Sequence, residues 1–105
     1  MIEVHWSGPA GRALETALDF IAMDNRDAAD RLARAVHKAI SRLERFPTSG
    51  RMVPELDDPN LREVVHPPFR IIYQPGARSV EILAVIRSEQ APDFAAITGR
   101  LPRDA

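Results

Sequence analysis

The stretch Leu61–Arg87, LREVVHPPFRIIYQPGARSVEILAVIR, constrains the fold more than any other part of the chain. Pro67-Pro68 and Pro75-Gly76 divide it into three short strands joined by tight connections. Side chains alternate along a strand, so Phe69, Ile71 and Tyr73 share one face of the middle strand while Arg70, Ile72 and Gln74 share the other. In the last strand the same rule sets Val80, Ile82, Ala84 and Ile86 against Glu81, Leu83, Val85 and Arg87. Both faces of that strand are largely apolar, which predicts a central strand covered on both sides. So small a sheet must bury a face against a second layer, and the first half of the chain is where that layer must come from.

That first half supplies a strand and two helices. Ile2, Val4 and Trp6 alternate with Glu3, His5 and Ser7. Ser7 before Gly8-Pro9 has the form of a helix start, with a hydroxyl to cap free amides and a proline in the first turn. Ala10, Ala13, Leu14, Ala17, Leu18 and Ile21 then form one apolar stripe, whose alanines allow close approach to a neighbour. Asp24-Asn25 interrupts the pattern and caps a second, longer helix. This helix carries Ala28, Ala29, Leu32, Ala35, Val36, Ala39, Ile40, Leu43 and Phe46 in register until Pro47 stops it. So short a link forces an antiparallel αα-hairpin.

Pro47–Asn60 holds three prolines and a glycine with little periodicity, and is either an ordered crossing or a functional loop. After Arg87, residues Pro92 to Thr98 predict a short helix ended by Gly99. The expected architecture is α+β, in the order β-α-α-β-β-β with an optional last helix. An αα-hairpin packs on a curved, mainly antiparallel four-stranded sheet, with one domain over residues 1–98 and a loose tail over 99–105.

Composition narrows the function. A chain of 105 residues, 45% apolar and 28% charged, has room for one modest core. Its net charge is −1 and its pI about 6.3, whereas a domain that binds nucleic acid through its overall field is clearly basic. Direct, sequence-specific nucleic-acid binding is therefore not expected. With no cysteine, disulfides and thiolate metal sites are excluded. No run has the length of a membrane span and the first residues lack a signal-peptide layout, so a cytoplasmic location is expected.

His5, His37 and His66 show no metal-binding spacing, so neither a metal nor a cofactor is expected. Asp57-Asp58 reads as a turn former. Arg31, Arg34, Lys38, Arg42 and Arg45 recur on the second helix as a basic ridge, with Asp27 and Asp30 four residues ahead of Arg31 and Arg34. The ridge is either a solvated face or a contact for an acidic partner. A second group of arginines gathers on the sheet: Arg51, Arg62, Arg70, Arg78 and Arg87. Arg62 and Arg70 flank the two-proline turn and could meet across the hairpin, with Glu63 and Glu81 available to neutralise them. Arg–Glu pairing and an anion site are the two readings of this group.

The helix pair ending in LERFPTSGRMVPEL, followed by LREVVHPPFRIIYQ and VEILAVIR, resembles the toxins of the RelE/ParE superfamily of bacterial type II toxin–antitoxin modules. The resemblance runs from Ile2 to about Arg87. It rests most on Phe46-Pro47-x-x-Gly50-Arg51-x-Val53-Pro54-Glu55, Leu61-Arg62-Glu63 and Phe69-Arg70-Ile71-Ile72-Tyr73, and is nearer to the ParE-like, plasmid-stabilisation branch. It implies the fold already read from the patterns.

The branches imply different activities. RelE-like toxins are ribosome-dependent mRNA endonucleases that use sheet lysines and arginines with a C-terminal tyrosine or histidine. Arg70 matches a family arginine, but Leu61 and Glu63 stand where lysines belong, and neither tyrosine nor histidine follows Arg87. ParE-like toxins are not enzymes and poison DNA gyrase. Their last strand commonly leads into a histidine and then an arginine, where this chain has Arg87 and Gln90. The first expectation is thus a gyrase inhibitor with no catalytic residues and with Arg51, Arg62, Arg70 and Arg87 as target contacts.

The alternative is a RelE-like endonuclease using Arg62, Arg70 and Arg87 on phosphate, its mRNA cuts abolished by Arg70→Ala. A further alternative is a degenerate toxin that only binds its antitoxin. The resemblance also implies that cognate antitoxin, whose partly disordered segment would bury apolar side chains on an exposed part of the Leu14, Leu18, Ile21 or Leu32, Val36 stripes. The ridge residues Arg34, Lys38 and Arg42 would meet its acidic groups.

Overall fold

The computed structural model describes residues 1–93 together with Ala95 and Ile97. Five strands and two helices follow one another as β1 (Glu3–Trp6), α1 (Gly8–Asp24), α2 (Arg26–Ser41), β2 (Arg51–Met52), β3 (Arg62–His66), β4 (Phe69–Pro75) and β5 (Ser79–Arg87). The strands form one sheet in the order β1-β5-β4-β3-β2. All neighbours are antiparallel except β1 and β5, which run parallel with Val4 opposite Val80 and Trp6 opposite Ile82.

Both helix starts obey the capping logic. The Ser7 hydroxyl accepts from the Ala10 N–H at 3.1 Å, and Asn25 Oδ1 accepts from the Ala28 N–H at 3.0 Å. Ser7 also donates to the Leu83 carbonyl at 3.3 Å, which pins the head of α1 to the middle of β5. The second helix is shorter than its apolar register predicts: α-geometry ends at Ser41 and a single 3-10 turn covers Arg42–Glu44. That tightening carries the chain down to Pro47 while keeping Leu43 fully buried.

The main core lies between the hairpin and the sheet. Leu14, Val36, Ile40 and Leu43 pack against Phe69, Ile71, Tyr73, Val80, Ile82 and Val85. A second, smaller cluster occupies the other face, where Val53, Leu61 and Ile97 cover Ile72, Leu83 and Ala84. The Pro47–Asn60 segment is therefore an ordered crossing that lids the face the helices leave open. Central β5 is covered on both sides, as its apolar pattern requires.

Two expectations need correction. The sheet has five strands rather than four, because Arg51–Met52 inside the crossing adds a two-residue edge to β3. Uninterrupted alternation also fails in β5. Ile72 pairs with Ala84 but Tyr73 with Ile82, so Leu83 is an extra residue, a β-bulge. Past the bulge the faces exchange: Val85 joins the helix-side core, while Leu83 and Ala84, in succession, both face the crossing.

The predicted closing helix and the tail over 99–105 lie mostly outside the described residues. Ala95 and Ile97 are helical, and the Ile97 N–H donates to the Asp93 carbonyl at 3.0 Å. Among the described residues no helix is long and apolar enough to cross a membrane.

Candidate functional site

The residues that the sequence motifs single out converge beneath the crossing. Arg51 of β2 lies opposite Glu63 of β3, and Glu63 lies opposite Ile72 of β4. Arg70, two residues from Ile72, is thus the diagonal neighbour of Glu63 on one face, a separation that an arginine spans easily. Arg70 Nε donates to Glu63 Oε1 at 2.7 Å and Arg51 Nε to Glu63 Oε2 at 2.6 Å, so both oxygens of a carboxylate with no exposed side-chain surface are filled. From the crossing, Glu55 closes the other side of Arg70: Nη1–Oε2 and Nη2–Oε1 are both 2.7 Å. Arg70 Nη1 also donates to the Gln90 carbonyl at 3.0 Å.

Two cations and two carboxylates make this cluster neutral in sum, which is how charge survives burial. The Arg70 fork holds the Glu55 carboxyl well down, from its ordinary 4.5 to about 2, and raises the Arg70 pKa in turn. Pairing, rather than an open anion site, is what the structure gives to Arg70.

A second set of contacts ties the start of the crossing to β4. The Gly50 N–H donates to the Tyr73 hydroxyl at 2.9 Å, and Arg62 Nη1 donates to the Gly50 carbonyl at 2.9 Å. A Cβ at position 50 would lie 2.6 Å from the Glu63 carbonyl oxygen and 2.7 Å from the Tyr73 ring and hydroxyl, so only glycine fits. Burial pushes the Tyr73 hydroxyl pKa up, keeping it neutral. Arg62 Nε is the buried side-chain polar atom left without a hydrogen-bond partner among the described residues.

The four candidate target arginines therefore separate. Arg70 is buried and fully engaged, Arg62 is half-buried against Gly50, and Arg51 and Arg87 have side chains 58% and 50% exposed. Arg62 and Arg70 do not face each other across the hairpin, since their partners are Tyr73 and Val65. Glu81 neutralises neither of them. It sits 3.2 Å from His5 Nδ1 and accepts from the Ser79 hydroxyl.

Of the candidate antitoxin contacts, Leu14 and Val36 are core residues beneath the hairpin and are not available on the surface. Their positions on the apolar stripes face the sheet, which sequence periodicity cannot separate from an outward-facing stripe. Leu18, Ile21 and Leu32 are half-buried, and Arg34, Lys38 and Arg42 are exposed.

His37 lies beside Trp6 with ring centroids 6.5 Å apart, and the Asp58 carboxylate accepts from the Asn60 N–H, a local turn. No cluster of three or more metal-ligating side chains occurs among the described residues. Sequence reasoning missed Glu55, Tyr73 and Gln90 as partners. The signal available was that Glu55 and Tyr73 both belong to the quoted motifs.

Residues 4–92 match the family described as the ParE toxin of the type II toxin–antitoxin system parDE. The chain belongs to the ParE toxin family. A solved chain from a chromosomal ParDE TA system of P. aeruginosa has a similar fold, with a TM-score of 0.70 at 18% sequence identity. The alignment covers 85% of this chain and 98% of that one. No curated protein matches at a significant level. The Glu55–Arg70–Glu63 cluster is accordingly an inner brace of a ParE fold, holding together the crossing, the sheet and the start of the C-terminal segment.

Proposed function

We infer that this ParE-family chain is a non-enzymatic toxin that inhibits DNA gyrase in the cytoplasm and is neutralised by a cognate antitoxin. The observation that carries this reading, beyond the family match, is the engagement of Arg70 by two carboxylates. A phosphate-cleaving site needs its cation free to meet charge that develops in the transition state. Here the matching arginine is already neutralised and out of reach. Arg51 and Arg87, the exposed members of the four candidate target arginines, are the groups offered to a target. The ridge formed by Arg34, Lys38 and Arg42 is available to an acidic antitoxin segment.

The test is a gyrase supercoiling assay with purified toxin at micromolar concentration, with and without the protein encoded beside its gene. Loss of supercoiling or accumulation of cleaved DNA, reversed by that protein, is the expected result. Intact supercoiling together with codon-specific cuts in translated mRNA would replace this reading with the endonuclease.

A further inference from the structure

Where α1, α2 and the end of β1 meet, a hollow of about 280 Å³ opens to the surface, lined by Trp6, Gly11, Leu14, Glu15, Leu18 and His37. Two rings wall it, since Trp6 and His37 stand 6.5 Å apart at a tilt of 56°. Gly11 belongs to the same lining, and the fold does not otherwise account for a glycine there. Glycine weakens a helix interior relative to alanine. Gly11 has no positive φ, and a Cβ added to it would meet nothing within 4 Å. What the missing side chain does is leave this space open.

The charge beside the hollow is one-sided. Glu15 is exposed and has no hydrogen-bond or ion-pair partner among the described residues. Arg12, one turn earlier on α1, is spaced to pair with it. Its guanidinium instead bends back over Gly8, with Nη1 3.0 Å from where a Cβ on that glycine would lie. Asp19, one turn beyond Glu15, is exposed too and adds a second carboxylate to that flank. No lysine or arginine lines the hollow. An indole beside an unpaired carboxylate attracts a cation twice over, through the negative face of the ring and through the charge. Arginine is the basic side chain whose flat head can stack on a ring while bonding a carboxylate. The size suits a single side chain, since sites for free small molecules run from about 300 Å³ upward.

We propose that this hollow receives an arginine side chain from a protein partner, its stem over Gly11 and Leu18 and its guanidinium between Trp6 and Glu15. The hollow is separate from the Arg70 brace, and it takes a basic group where the α2 ridge takes acidic ones. Its occupancy does not depend on gyrase being the target.

Trp6 is the chain's one tryptophan, so its fluorescence reports the site directly. The toxin is titrated with the peptide acetyl-Ala-Arg-Ala-amide, and with the same peptide carrying citrulline, which keeps the shape and loses the charge. A saturable change with the arginine peptide, half-complete below about 10 mM, is the expected result. The citrulline peptide is expected to bind at least fivefold more weakly. Glu15→Gln removes the charge at an exposed position, and Gly11→Leu fills the space. Each is expected to weaken the arginine peptide at least fivefold without lowering the thermal midpoint. Weakening in Glu15→Gln alone, with a misfolded Gly11→Leu, still supports the site. Absence of a saturable change overturns it, as does equal binding of the citrulline peptide or unchanged affinity in either folded variant. Agmatine has the same head and stem without a peptide backbone. If it binds at least tenfold more tightly than the arginine peptide, the hollow belongs to a free amine and the side-chain proposal falls.

Discussion

Arg70 and Glu55, fifteen residues apart in sequence, meet as a two-pronged fork with both N···O distances at 2.7 Å. Paired parallel bonds of this kind fix the plane of the guanidinium as well as its charge. The fork holds the crossing down on the sheet, while the Nε of the same arginine holds Glu63.

Arg70→Met is expected to destabilise the fold by about 3–5 kcal/mol, because it leaves the buried Glu63 short of its partner. Urea unfolding would show the loss as a lower midpoint. Replacing Glu63 by methionine in the same chain should recover part of it, since two apolar groups then occupy the space of a buried pair. The consequence for function is direct. A loss of any activity on changing Arg70 to alanine would report a disrupted brace, so it cannot by itself identify an endonuclease; Arg87, on the surface, is the fitter probe.

Gly50→Ala is expected to cost about 1–3 kcal/mol, the range for forcing an extra group into a filled site. Its methyl would meet the backbone of Glu63 and the Tyr73 ring, neither of which can move without disturbing β3 or β4. Tyr73→Phe separates the two causes, since it removes the hydroxyl that the Gly50 N–H uses and leaves the space. Comparing the two denaturation midpoints tells crowding from a lost hydrogen bond.

Acid should loosen the crossing through Glu55. Its carboxyl is depressed in the folded chain from 4.5 to about 2, first by the hydrogen bonds from Arg70. A depressed carboxyl contributes stability that is fully present above the unfolded value and disappears as pH falls through the folded one. Thermal midpoints should therefore fall between about pH 4.5 and pH 2, and Glu55→Gln should flatten that part of the profile.

Charge reversal of Arg34, Lys38 and Arg42 together is expected to weaken antitoxin binding, and to do so more at low salt than at high. All three side chains are exposed, so their contribution is screened over about 10 Å at 0.1 M salt. Calorimetry at two ionic strengths checks it. An affinity that ignores both the reversal and the salt would return the ridge to the role of a solvated face.

Much of this architecture was legible in the residues. Ser7 and Asn25 announce their helices by type and position, and the doubly apolar run of β5 announces a strand with cover on both sides. The bulge was not legible. VEILAVIR offers no polar residue at the point where the faces exchange, so one inserted leucine passes unnoticed in a continuous apolar run. The two-residue β2 was equally hidden, because its pairing is set by Glu63 across the sheet rather than by any local preference of Arg51-Met52. Glu63 is the instructive case. Compared with an RNA-cutting relative it looks like a missing lysine, yet it is the anion on which Arg51 and Arg70 both depend.

The inner brace has a consequence for how toxins of this shape can diverge. Gly50, Arg51, Glu55, Arg62, Glu63, Arg70 and Tyr73 bond to one another across the crossing and the sheet, and what they demand of the rest of the chain is a sheet of the right spacing. The basic ridge of α2 and the exposed Arg87 lie outside that set and take no part in its bonds. Surface residues can therefore drift to a new partner or a new victim while the brace stays the same. The part of such a sequence that is easiest to recognise is the part least informative about whom the toxin attacks.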